Sequence, residues 1–221
     1  MDPPLGFRGN PVDHEKSQRW SAQGFSTRRY TVPDLLRLDA AALVLVGREV
    51  VTIPDAALAN PTPCAGWTVL DLVRHMNSEH ERVSALARGA LSADAAGDQD
   101  PRDDFALIAA RWVATLEQAG PQIAVPKVGR EVPTHEVTAV HFVDMLVHRW
   151  DLARALGRPY AAPDELTRVA LPIARRITGP GSGLNGPGGV YRPPLPEDPA
   201  LDPVDNLAAL LGRDPRWRTA S

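Results

Sequence analysis

His141, Asp144 and His148 stand at i, i+3 and i+7. In a helix turning about 100° per residue they fall within an arc of about 60°, one narrow stripe. Earlier in the chain His75 is followed by Glu79 one turn further along the same face. His80, five residues from His75, points about 140° away and makes a poor co-ligand. Neutral imidazole and carboxylate suit Zn²⁺, Ni²⁺ and Fe²⁺, and three protein ligands leave a position open for water or substrate. An Asp and a His one turn apart on one helix, met by a His from a facing helix, would make such a site. An unpaired Asp144 on a buried face is costly, and a divalent cation removes that cost. The competing reading has Asp144 and His148 bonding only each other in a partly wet core. Spacing alone leaves both open.

The elements that must position these residues read as helices. Thr31 with Asp34, and Thr68 with Asp71, resemble capping boxes. They open one helix with Leu35, Leu38, Ala42, Leu45 and Val46 on one face, and a second running through Leu72, Val73, Met76, Val83 and Leu86. A third, over about 103–119, carries Phe105, Ile108, Trp112 and Leu116 and stops at Gly120. Thr134 is placed to cap a long fourth helix ending at Gly157, and no convincing strand alternation appears. A further helix over 163–178 should be interrupted or kinked at Pro172. A short one near 203–211 is capped by Asp202, with Pro203 in its first turn. Four main helices around one core predict an all-α helical bundle with additional C-terminal helices. Residues 1–30, rich in Pro and Gly and without an apolar period, read as a disordered or loosely packed tail ahead of one unit over 31–221. Residues 92–102 read as a polar linker.

Composition narrows the classes. Of 221 residues, 43% are hydrophobic and 23% charged, which fits a globular protein, and the net charge of −3 argues against nucleic-acid or anionic-membrane binding. The single Cys64 excludes an internal disulfide and a Cys-rich zinc site. No apolar run approaches the ~20 residues that span a bilayer, so a cytoplasmic protein is expected. The Gly-rich run over 179–189 lacks the Gly-Lys-Ser/Thr ending of a phosphate loop and follows no strand.

Thr62-Pro63-Cys64-Ala65-Gly66-Trp67-Thr68-Val69, followed by Asp71-Leu72-Val73 and His75, resembles the first metal-binding segment of the DinB-like, mycothiol-dependent maleylpyruvate isomerase family. Asp144-Met145-Leu146-Val147-His148-Arg149-Trp150-Asp151-Leu152-Ala153 resembles its second. Asn206-Leu207, Leu210-Leu211-Gly212-Arg213-Asp214-Pro215 and Trp217 resemble the closing segment of an actinobacterial branch. The resemblance covers about residues 33–217. It implies a DinB-like four-helix bundle with up-down-down-up connectivity, and a divalent metal, Zn²⁺ ahead of Ni²⁺ or Fe²⁺, on His75, Asp144 and His148. The isomerase has Glu where this chain has Asp144. His141 matches no ligand of the family and stands as a group behind the ligands or as a fourth ligand. The isomerase also has a distinct C-terminal domain with substrate-binding groups, for which this chain offers no match.

The resemblance further implies an enzyme, with mycothiol as thiol cosubstrate for S-transfer or isomerisation of a small electrophile. The alternative is a non-catalytic metal-binding, stress-response module. A monomer or homodimer is expected, with small molecules rather than nucleic acid or membrane as partners. Other residues have plainer readings. Cys64 lies in a Pro-rich loop without a neighbouring His, and reads as a structural or incidental thiol. Trp67, Trp112 and Trp150 read as core or rim packing. Asp151 follows His148 by one turn and could orient it, although pairing with Arg154 is the simpler account. Arg74 and Arg149 turn about 100° away from the adjacent histidines and face other neighbours.

Overall fold

The computed structural model describes residues 30–90, 100–126, 129–182, 184–185 and 189–219. The tail expected over 1–30, apart from Tyr30, and most of the polar linker lie outside the described residues. Thr31 and Asp34 form a reciprocal capping box that starts α1, Val32–Val50. Thr68 and Asp71 form a second that starts α2, Val69–Ala87. The Asp100 carboxylate accepts from the Arg102 amide at the head of α3, Pro101–Gln118. A hairpin follows, β1 Gln122–Val125 antiparallel to β2 Arg130–Pro133 with Gln122 opposite Pro133. Then come α4 Thr134–Ala155, α5 Asp164–Ile177 and α6 Pro203–Leu210.

Cross-helix contacts give the direction of each helix. Asp39 meets His141, and Glu49 meets Arg149 and Arg158, so α1 and α4 run parallel. Asn77 reaches Pro101, Glu81 pairs with Arg111 and Arg88 reaches Thr115, so α2 and α3 run parallel. Trp112 bonds Asp39 while Phe105 sits over Gly47, which sets α3 antiparallel to α1. His75 meets His148 and His80 meets His141, which sets α2 antiparallel to α4. The bundle is therefore up-down-down-up and DinB-like, with side-by-side neighbours in the order α1, α4, α2, α3.

Helix α4 is the axis of the molecule, because α5 and α6 pack on the side that α1 and α2 leave free. It is buried almost all round, so its polar residues must find partners inside the protein. Phe105, Trp112, Leu116, Phe142 and Leu146 fill the bundle interior, each at most 1% exposed.

Three local expectations change. The hairpin was not anticipated, because two four-residue strands are too short to alternate convincingly. Thr134 does not cap α4; β2 runs directly into the helix through Pro133, and the Thr134 hydroxyl donates to the Gly120 carbonyl instead. The interruption expected at Pro172 is absent, since α5 continues through that residue. Among the described residues no helix is long and apolar enough to cross a membrane.

Candidate functional site

His75 comes from the second turn of α2; Asp144 and His148 come from the middle of α4, one turn apart. Because the helices are antiparallel neighbours, the rings of His75 and His148 meet edge to face at 5.5 Å between centroids. All three residues line one cavity of about 370 Å³. The loop ahead of α2 adds Cys64 and Trp67, and the segments around α6 add Tyr191, Arg192 and Arg213. The three expected ligands thus share one chamber. The Trp67 ring packs on His75 at 4.6 Å, a rim position, whereas Trp112 and Trp150 are core.

His148 is held from behind. Its Nδ1 lies 3.2 Å from Asp151 Oδ2. A carboxylate only accepts, so Nδ1 carries the proton and Nε2 keeps its lone pair for another partner. Arg213 bonds the same Asp151 oxygen at 3.1 Å and Cys64 Sγ at 3.2 Å. The Cys64 thiol also donates to Asp151 at 3.2 Å. Burial works to raise the Asp151 carboxyl, but the Arg213 guanidinium and His148 outweigh it and hold it below the usual range. Burial, then the Asp151 charge, push the Cys64 thiol up, which leaves a protonated sulfur rather than a nucleophile.

This corrects two expectations. Asp151 pairs with His148 and Arg213, not Arg154, whose guanidinium goes to Asp205 instead. Cys64 does have a histidine near it in space: potential ligand atoms of Cys64, His148 and Asp151 lie within 4.8 Å of one another. Arg149 turns away to Glu49 and Tyr160, as the helical offset required, and Glu79 pairs with Arg82.

Asp144 accepts at Oδ1 from the Tyr191 hydroxyl at 2.8 Å. Burial pushes its carboxyl above the usual range, with His148 opposing. Burial, then the His148 charge, push the His75 imidazole down to about 4, so it is neutral at physiological pH. A neutral imidazole on His75, Nε2 of His148 and the Asp144 carboxylate are donor types that suit a divalent cation, although among the described residues the group whose ligand atoms lie within 4.8 Å of one another is Cys64, His148 and Asp151 rather than these three.

His141 belongs to a different cluster, deeper in the bundle. Its Nδ1 lies 2.6 Å from Asp39 Oδ1 and its Nε2 lies 2.8 Å from His80 Nε2, and its ring stacks on Trp112 at 4.0 Å. Trp112 Nε1 donates to Asp39 Oδ2 at 2.8 Å. With both ring nitrogens engaged, His141 offers no lone pair to the chamber in this arrangement. Tyr191 and Arg213 were missed by sequence reasoning, because neither shares a helix or a spacing with the residues it supports.

A family model, the mycothiol maleylpyruvate isomerase N-terminal domain, matches residues 40–153. A protein of Mycobacterium tuberculosis described as uncharacterized, in strains CDC 1551 / Oshkosh and ATCC 25618 / H37Rv, is 32% identical over 159 residues, covering 72% of this chain and 86% of its own. Among solved structures, a mutant of the mycothiol-dependent maleylpyruvate isomerase superposes with a TM-score of 0.51 at 15% identity, covering 68% of this chain and 71% of that one. The family match spans the segment that carries the candidate ligands, and the chain belongs to the mycothiol maleylpyruvate isomerase N-terminal domain family.

Proposed function

We propose that this protein is a divalent-metal-dependent enzyme that takes a low-molecular-weight thiol, mycothiol, and uses it for S-transfer or isomerisation of a small electrophile. The observation that carries the reading is one chamber lined from two antiparallel helices by His75, Asp144 and His148, with room beside them for a ligand. Family membership supplies the thiol. A cation on these residues, Zn²⁺ by donor preference, would supply Lewis acidity that favours the thiolate over the thiol.

The chain's own residues prepare that site. Asp151 holds the Nδ1 proton of His148 and so aims Nε2. Tyr191 occupies Oδ1 of Asp144 and leaves Oδ2 to coordinate. Arg213 neutralises Asp151, so a cation held here would meet one uncompensated negative charge rather than two. Trp67 and Val190 add apolar surface to the lining of the chamber. Cys64, held protonated, leaves the sulfur chemistry to the cosubstrate.

Titrating mycothiol into Co²⁺-substituted protein tests the reading. A sulfur-to-cobalt charge-transfer band that His148→Ala abolishes is expected, together with thiol-dependent turnover of soft electrophiles. A closed cobalt spectrum unresponsive to thiol would instead identify a metal-binding module without catalysis.

A further inference from the structure

On the side of the bundle away from the chamber, α1 and α3 leave an apolar groove of about 560 Å³. Its floor is made of small residues, Gly47, Ala106, Ala109, Ala110 and Ala114, against which another helix can approach closely. Val44 is 54% exposed and Val51 66% exposed on its α1 side; Leu107, 63% exposed, sits beside Ala110 and Ala114 on α3. Two of the five large hydrophobic residues exposed among the described residues, Val44 and Val51, thus line this groove, and Leu107 lies at its edge by helical spacing. Such a patch, framed by charge, is the mark of a protein contact.

The charges identify the partner. By helical spacing Arg37 lies on the α1 face that carries Ala40, Val44 and Arg48, and Asp103 lies on the α3 face that carries Ala106, Ala110 and Glu117. The α1 rim is therefore basic at both ends and the α3 rim acidic at both ends. Because the helices are antiparallel, Arg48 and Asp103 share one end of the groove, and Arg37 and Glu117 share the other. Asp34, 4.0 Å from Arg37, is the acidic neighbour on the α1 side, and it is already engaged in the α1 cap. Arg111 is turned toward Glu81 of α2.

A second copy brought face to face through a two-fold axis along the groove lays each basic α1 rim over the acidic α3 rim of the other. Arg48 then meets the other copy's Asp103, and Arg37 the other copy's Glu117. A two-fold axis across the groove would set α1 on α1 and α3 on α3, like charge on like. The face is thus self-complementary in one orientation only, which an isologous interface requires. We propose that the protein forms a two-fold symmetric homodimer through the α1–α3 groove, with each α1 crossing the other copy's α3.

Sedimentation equilibrium on the full chain tests this. The unmodified protein should be a dimer. Ala110→Arg, which fills the groove floor at an exposed position, should give a monomer with unchanged helical circular dichroism. Arg48→Glu reverses one contact twice in the dimer, so it should weaken association by about tenfold or more. Adding Asp103→Arg to Arg48→Glu should restore it, and a variant that loses helicity is replaced by Val44→Glu. A wild-type monomer at every concentration overturns the proposal and leaves the groove to the chain's own N-terminal residues or to another protein. A dimer insensitive to Ala110→Arg and Val44→Glu, or a double charge swap that fails to restore association, overturns it equally.

Discussion

Asp144 and His148 each have a residue behind them, and those supports are testable one by one. Tyr191→Phe keeps the buried ring but removes the hydroxyl that holds Asp144 Oδ1. Losing a hydrogen bond to a metal-binding carboxylate costs about tenfold or more in affinity, so zinc binding in competition with a chromophoric chelator should weaken by that factor while helicity stays intact. The buried histidines give a pH signature as well. Burial, then His141, hold the His80 imidazole well below its ordinary value, and burial holds His75 down to about 4. In the unfolded chain both take up protons near pH 6.5, whereas in the folded protein neither does until lower pH. Metal-free protein should therefore be most stable above pH 6.5, losing about 1 kcal/mol per pH unit for each such histidine as pH falls toward 4. Urea titrations at pH 7, 6 and 5 measure the slope, and His80→Gln should make it shallower. The stripe of His141, Asp144 and His148 was legible in sequence through its 3.6-residue period, and the family resemblance singled out Asp144 and His148 with His75 as candidate ligands. What holds His141 out of the chamber was not legible, since its partner Asp39 is 102 positions away on α1.

At the scale of elements, the two capping boxes marked the starts of α1 and α2 because they are contained within four consecutive residues. The hairpin and the turn after α6 depend on distant partners and left no local period. That turn matters to the site. Gly212 has φ of 78°, a left-handed conformation that favours glycine, and a Cβ there would come within 2.6 Å of Arg192 Cβ and 2.9 Å of its carbonyl oxygen. The turn hands the chain from α6 to Arg213, which closes on Asp151 and Cys64. Gly212→Ala should therefore cost more than the ~1 kcal/mol of an ordinary glycine substitution at positive φ, because the new methyl must also displace backbone. Thermal unfolding should show the loss, and the Co²⁺ spectrum should change with it as Arg213 and Asp151 lose their register. A destabilised variant with an unchanged cobalt spectrum would separate Arg213 from the site. The Asp151–Arg154 expectation failed at this same scale: an i, i+3 spacing permits the pair, but Asp151 faces the interior and Arg154 faces Asp205 on α6.

Across the whole molecule, the chamber is where segments far apart in sequence are tied together: the loop before α2, the middle of α4, Tyr191 and the turn after α6. Two of those ties, Tyr191 to Asp144 and Arg213 to Asp151, connect the C-terminal third of the chain directly to ligands or their supports on α4. A cation bound at His75, Asp144 and His148 would draw on Asp144 and His148 together, so its binding energy also stabilises the arrangement in which the C-terminal segments are docked. Binding to the folded state alone stabilises by about 4 kcal/mol at a thousandfold excess over the dissociation constant. Much of that should appear as protection against local opening rather than only as a higher melting temperature. Zn²⁺ added to metal-free protein should slow amide hydrogen exchange across 189–213 as well as around His75 and His148. Asp39, His80 and Trp112 already fix their own layer of the bundle through hydrogen bonds that involve no cation, so that layer should change less. Tyr191→Phe should retain the slowing around His75 and His148 at saturating Zn²⁺ while reducing it over 189–213. Protection confined to α2 and α4 in the unmodified protein would mean that the C-terminal segments cover the chamber without being coupled to its metal.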